Sequence, residues 1–189
     1  MQQEFIRAAR NGSLKLVESY IKQGTSLEAM DQYGWTALML AAWFGHNQIV
    51  EWLLSNGANV DATDACGSTA LIEAARCGHT QIIEWLLSNG ANVDATIQNG
   101  FMKGYTALMF AVRSGCTQIV ELLLSNDANV NATDACGCTV LNLAEWNEYA
   151  QIIALIQRHI TKRNEDHVRA CLRVNDISED LIPTIASFL

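Results

Sequence analysis

Residues 64–96 read DACGSTALIEAARCGHTQIIEWLLSNGANVDAT, and residues 31–63 read DQYGWTALMLAAWFGHNQIVEWLLSNGANVDAT. A shift of 33 residues brings Thr36 onto Thr69, Leu38 onto Leu71, Gly45 onto Gly78 and His46 onto His79. Self-similarity at a fixed period is the signature of stacked repeats. The same ruler fits 104–133 through Thr106, Leu108, Gly115, Ile119 and Val120, once four extra residues are allowed before it. It fits 134–160 more loosely, through Gly137, Thr139, Leu141, Ala144, Ile152 and Ile153. Towards the N-terminus it takes in 1–30 through Ala8, Ala9, Gly12, Leu16, Val17, Gly24 and Ala29. The chain therefore divides into units 1–30, 31–63, 64–96, 97–133 and 134–160, followed by a tail, 161–189, without the repeat.

Each unit carries two helical periods. Leu71, Ala74 and Ala75 are spaced by three and four residues, as one face of a short helix requires, and Ile82, Ile83, Leu86 and Leu87 mark a second helix. Thr36, Thr69, Thr106 and Thr139 stand where a side-chain oxygen caps the first helix, and Asn47, Thr80 and Thr117 where one caps the second. Gly45, Gly78 and Gly115 are placed to end the first helix, and Gly57 and Gly90 the second. Asp127 and Asn147 replace glycine at such turns, and both residue types tolerate the left-handed region. The A-N-V-[DN]-A-T and D-x-x-G segments then form an extended arm with a tight turn. One such unit cannot bury its own apolar face, but stacked copies can.

The pattern G-x-T-A-L, then A-A-x-x-G-H-x-Q-I-[VI]-E-W-L-L-S-N-G-A-N-V-D-A, resembles the ankyrin repeat over roughly residues 1–160. The resemblance implies an all-α solenoid of five helix-turn-helix units with short β-hairpin arms. The family's T-P-L-H is Thr-Ala-Leu-Met at 36–39 and 106–109, and Thr-Ala-Leu-Ile at 69–72. The missing proline removes a pre-set first turn. The resemblance also implies a non-enzymatic protein that binds a partner through the concave helix face and the arm tips. Residue by residue, those positions are Gln32, Tyr33, Trp35, Trp43 and Phe44 in the second unit and Arg76 and Cys77 in the third, with Ala65, Cys66 and Ser68. The fourth unit supplies Tyr105, Arg113 and Ser114, the fifth Glu145 and Trp146 with Ala135, Cys136 and Cys138, and the first Arg10 and Asn11. Tyr, Trp and Arg carry much of the binding energy at protein interfaces. Trp52 and Trp85, inside E-W-L-L, are expected to pack instead. Asn131 matches the ankyrin position that asparaginyl hydroxylases modify, which makes it a candidate modification site.

The insertion, Ile97–Gly104 (IQNGFMKG), lengthens one arm tip, with Asn99-Gly100 as its turn. Phe101 and Met102 either project to solvent or fold back onto the neighbouring arm. The end units read as caps: Gln2, Gln3, Glu4, Arg7 and Lys15 face outward in the first, and Asn142, Glu145 and Gln157 replace apolar residues in the last.

Half the residues are hydrophobic and the net charge is −8 from sparse basic residues, which disfavours nucleic acid and anionic membranes as partners. There is no secretory leader pattern and no apolar run of roughly 20 residues. Six cysteines in a chain with its own core need no disulfides. The expectation is a cytoplasmic, reduced monomer, in its own cell or a host's. Cys136-Gly-Cys138 is too tight for zinc spacing, and Cys66, Cys77 and His79 belong to the repeat. No phosphate loop or nucleophile–base order occurs. Neither a catalytic residue, a metal nor a cofactor is expected, and His46 and His79 read as turn-bonding residues.

In the tail, Glu165–Val174 reads as an amphipathic helix through Val168, Cys171 and Leu172. I-S-E-D-L-I-P-T-I-A-S-F-L follows at 177–189, with Leu181, Ile185, Phe188 and Leu189 at helical spacing and Pro183 interrupting. It is similar to the opening helix of an F-box, with Ile177-Ser178 in place of Leu-Pro. That resemblance implies an alternative role, a substrate adaptor or effector recruiting a cullin–RING ubiquitin ligase through an adaptor docked on Ile177–Leu189. The other reading of the tail is a cap on the last repeat.

Overall fold

A computed structural model describes residues 1–174, with side chains through Arg169. Among the described residues there are ten helices in chain order: α1 (Gln2–Arg10), α2 (Leu14–Lys22), α3 (Ala37–Phe44), α4 (Asn47–Ser55), α5 (Ala70–Cys77), α6 (Thr80–Ser88), α7 (Ala107–Arg113), α8 (Thr117–Ser125), α9 (Val140–Trp146) and α10 (Ala150–Val174). The odd-numbered helices pack side by side in one row and the even-numbered in a second. The first row is the closer-packed, because Ala8, Ala9, Ala41, Ala42, Ala74, Ala75, Ala111 and Ala144 line it with almost no exposed area. Bulkier side chains, among them Trp52, Trp85 and Leu122, separate the second row. Unequal spacing curves the stack, and the first helices and arms lie on the inside of the bend.

The core runs unbroken through all five units, from Phe5 to Ile156. Leu38, Leu71 and Leu108, one per unit, are 1–2% exposed; burying each contributes roughly 2 kcal/mol. Trp52 and Trp85 are half-buried against this core, as expected.

The first-helix caps stand where the sequence places them. Thr36, Thr69, Thr106 and Thr139 accept backbone N–H bonds from Met39, Ile72, Met109 and Asn142. Asn142, expected to be part of a polar outer face, instead turns back: its Oδ1 accepts from the Thr139 backbone N–H, which completes a capping box. The second-helix caps differ from expectation. Asn47, Thr80 and Thr117 are the first helical residues, and the cap positions belong to His46, His79 and Cys116, none of which makes a side-chain cap bond. The histidines reach into the preceding unit instead.

Gly45 and Gly78 end α3 and α5 in the left-handed region, and Asp127 adopts it at φ 62°. At the end of α9 it is Glu148, at φ 57°, that takes the left-handed turn, while Asn147 stays at φ −93°. The same 33-residue shift that brings Thr106 onto Thr139 brings Gly115 onto Glu148, so position 148 is the glycine's equivalent and Asn147 is not. Trp146 becomes the equivalent of Arg113, with Asn147 beside it, and Glu145 the equivalent of the buried Val112, although Glu145 itself is exposed.

The arms contain no strand among the described residues; they reduce to bridged turns, with isolated bridges Met30–Thr36 and Thr96–Thr106. Asp31, Asp64 and Asp134 close each tip by accepting two backbone N–H bonds on Oδ1, at 2.8–3.0 Å. Neighbouring arms are tied by Glu28, Asp61 and Asp94, whose carboxylates each accept the backbone N–H of the next unit's Asn59, Asn92 or Asn129 at 2.8 Å. Asn131 is the next member of that series and is exposed.

The expected separate helix at Glu165–Val174 is not separate: α10 runs without a break from Ala150 through that stretch. The F-box-like stretch, Ile177–Leu189, lies outside the described residues.

Candidate partner-binding face

The C-terminal ends of the first helices open onto the inside of the bend. There the residues at equivalent repeat positions are Arg10, Trp43, Arg76, Arg113 and Trp146. Each sits on the last turn of its helix, just before the turn residue Gly12, Gly45, Gly78, Gly115 or Glu148. The row owes its alignment to that shared helix ending and to the histidine clips. His46 Nε2 lies 2.8 Å from the carbonyl oxygen of Arg10, and His79 Nε2 3.1 Å from that of Trp43.

The predicted aromatics gather at one end. Trp35 and Trp43 meet edge to face, with ring centroids 5.7 Å apart. Tyr33 and Phe44 flank them, 63% and 43% exposed. Together with Arg10, Asp31 and Leu40 they line an open pocket of about 230 Å³. Arg10 stacks on Phe44 at 5.5 Å. Arg76 lies between two rings, 5.0 Å from the Trp43 centroid and 5.6 Å from that of Phe110. Gln32 is exposed at the neighbouring arm tip. Tyr105, half-buried, tilts against Phe110 at 5.1 Å.

The insertion separates its two candidates. Phe101 is 97% exposed, whereas Met102 folds back onto the core, its sulfur accepting from Arg113 Nη1 at 3.5 Å. A double turn makes this possible: Gly104 N–H and Tyr105 N–H bond back to Ile97 and Met102, while Gln98 and Asn99 donate to the Cys66 carbonyl of the neighbouring arm, which leaves Gly100 and Phe101 at the tip. Trp146, 70% exposed, stands at the far end of the row. Cys77 is half-buried, and burial followed by nearby Glu73 pushes its thiol pKa up, which keeps it protonated.

Two residues central to this face escaped the sequence reading. Phe110 is 3% exposed and forms the second wall around Arg76. Glu73, on α5, is 2% exposed and occupies the place of Leu40, Phe110 and Leu143 in other units. Its Oε1 accepts from Ser68 Oγ at 2.5 Å, while Oε2 is buried without a partner. Burial raises its pKa, against the lowering pull of the Ser68 bond and the Arg76 charge. A carboxylate at an apolar repeat position was the signal that could have found it.

Another cavity, of about 410 Å³, lies between α8 and α10, lined by Glu121, Arg158, His159 and Lys162 among others. It belongs to the second-helix row and is remote from the aromatic strip.

A family model described as ankyrin repeats (3 copies) matches residues 5–97 and 93–166. Comparison with curated proteins finds no match.

Proposed function

We propose that this chain, which belongs to the ankyrin-repeat family, holds a partner protein against the inner face of its stack. Ankyrin repeats are generally protein–protein interaction modules and typically non-enzymatic. The observation that carries the finer reading is the contiguous strip of Tyr33, Trp35, Trp43 and Phe44 with Arg10 and Arg76 stacked on it. Apolar surface gathered in one exposed patch marks an interaction site, and Trp, Tyr and Arg are the side chains that anchor interfaces. Phe101 at its protruding tip adds a second contact two arms from Tyr33. The chain acts in this reading as a monomeric, cytoplasmic binding module without a cofactor. No helix among the described residues is long and apolar enough to cross a membrane.

The test is capture of partners by the intact chain against Trp43→Ala/Phe44→Ala. Loss of partners with an unchanged melting curve supports the reading, and undiminished capture refutes it. The adaptor alternative rests on Ile177–Leu189 alone. It requires that deleting this segment abolish capture of a ubiquitin-ligase subunit while the inner face keeps its own partner.

A further inference from the structure

We propose that the row Arg10, Trp43, Arg76, Arg113 and Trp146 receives an extended acidic segment of the partner that advances three residues per repeat unit, with carboxylates over the three arginines. The proposal rests on the inner face being the docking face. Charge is the first argument. Of the seven Lys and Arg residues before position 150, three occupy this one repeat position, in a chain of net charge −8. Such a row in an acidic protein is a local attraction for anionic groups rather than a general one.

Availability is the second argument. The ion pairs among the described residues are Arg7–Glu4 and Arg169–Asp166, so none of the three arginines pairs with a carboxylate. Each lies against a neighbour instead: Arg10 over the Phe44 ring, Arg76 over the rings of Trp43 and Phe110, and Arg113 donating one N–H to the Met102 sulfur. A cation–π contact spends no N–H donor, so Arg10 and Arg76 keep theirs for bidentate contact with a carboxylate, and Arg113 keeps the N–H groups not turned to Met102. Glu73 beneath Arg76 spends none of those donors, since its bonded oxygen accepts from Ser68.

Spacing is the third argument. Packed helices repeat at about 8–10 Å. A polyproline-II chain turns once in three residues and advances about 9 Å in doing so. A β-strand presents the same face at about 7 Å and falls out of step with the row. The segment that fits is therefore about 13 residues long. It has acidic residues over Arg113, Arg76 and Arg10, and an apolar or proline residue over each of Trp43 and Trp146.

Capped 13-residue, proline-rich peptides test this, with glutamate at positions 4, 7 and 13 and leucine at 1 and 10, made in both chain directions. The controls carry glutamine in place of glutamate, or glutamates moved to 4, 6 and 13. Binding is read by fluorescence polarisation on the full chain and on Arg76→Gln and Arg113→Gln, each checked for an unchanged melting curve. The in-register peptide should bind, and should lose about tenfold on either arginine substitution, on the glutamine exchange and on the shift of register. Equal binding by the glutamine or shifted peptides, no binding by any peptide, or tighter binding of a 13-nucleotide oligothymidylate overturns the proposal. Trp43→Ala/Phe44→Ala separates the two levels. If it abolishes partner capture while the peptides show no preference for acid, only this inference fails; if capture persists, the docking face itself is wrong.

Discussion

The imidazole of His79 rests on Gly45, at the point where its Nε2 comes within 3.1 Å of the Trp43 carbonyl oxygen. A Cβ on Gly45 would lie 2.7 Å from His79 Cε1. The same arrangement joins His46 to Gly12 and the Arg10 carbonyl. Both clips hold the last turn of the preceding unit's first helix, which is the turn that displays the proposed binding row. At the next junction Cys116 stands in the histidine's place, and its thiol donates to the Ser114 carbonyl of its own unit, at 3.8 Å, rather than to the preceding helix end. His79→Ala should therefore cost about 1–2 kcal/mol, as expected for an orphaned carbonyl. The Cys116 sulfur lies 4.0 Å from where a Cβ on Gly78 would stand, so there is room above that glycine for a ring. Cys116→His should recover about 1 kcal/mol by reaching over Gly78 to the preceding helix end. Urea unfolding of the two variants checks both signs.

Gly45 and Gly57 both sit in the left-handed region, at φ 76° and 84°, but only Gly45 has a ring against it. Gly57→Ala meets open space and should cost about 1 kcal/mol, the backbone penalty alone. Gly45→Ala carries that penalty and must also displace the His79 ring, so its loss should be at least about 1 kcal/mol larger. Equal losses in thermal unfolding would show that the ring contact carries no weight.

The fold was legible because the stacking residues repeat: Thr69, Leu71, Ala74 and Gly78 each have a counterpart 33 residues earlier, and the structure uses them as caps, core and turns. Legibility failed where a residue acts across units rather than within one. Asn47, Thr80 and Thr117 have good capping chemistry, yet two of the three cap positions went to histidines that bond the previous repeat. Residue type misled at the fifth unit as well. Asparagine tolerates a left-handed turn better than glutamate, but Glu148 is the residue 33 positions after Gly115, and it takes that conformation while Asn147 does not. Of the candidate face, the aromatics could be named from their repeat positions. That Phe110 and buried Glu73 flank and underlie Arg76 depends on packing between units, which no single repeat displays.

Glu148 is exposed and holds φ 57°, a conformation costly for a residue with a Cβ. Glu148→Gly should raise stability by about 0.5–1 kcal/mol, the relief of strain outweighing the added freedom of the unfolded chain. The midpoint of denaturant unfolding should move up without a change in slope.

Phe101, at 97% exposure, contributes nothing to the core. Phe101→Ser should leave stability within about 0.5 kcal/mol while weakening partner capture. Met102→Ser, by contrast, should destabilise, because Met102 packs on the core and holds Arg113. Paired melting and capture measurements on the two variants separate a contact residue from a supporting one, and a stability loss at Phe101 would refute the assignment.

Glu73 should make the stability of the whole array depend on pH. Burial raises its pKa from the ordinary value of 4.5, with Asp64 adding to the rise and Ser68 and Arg76 opposing it. Between the ordinary and the raised values, the folded chain keeps a proton that the unfolded chain has released. Stability must therefore fall as pH rises through that window, and level off once the folded carboxyl has ionised. Glu73→Gln retains an acceptor for the Ser68 hydroxyl and carries no charge to desolvate. It should be more stable than the parent by about 1 kcal/mol at neutral pH, and the difference should close as pH approaches the ordinary value of 4.5. Ser68→Ala removes the bond that favours the ionised form, so it should push the Glu73 carboxyl higher and extend the falling limb upward in pH. Urea midpoints from about pH 4 to 8 on the three chains decide the matter. A gap between parent and Glu73→Gln that stayed constant across that range would show that Glu73 is not the titrating group.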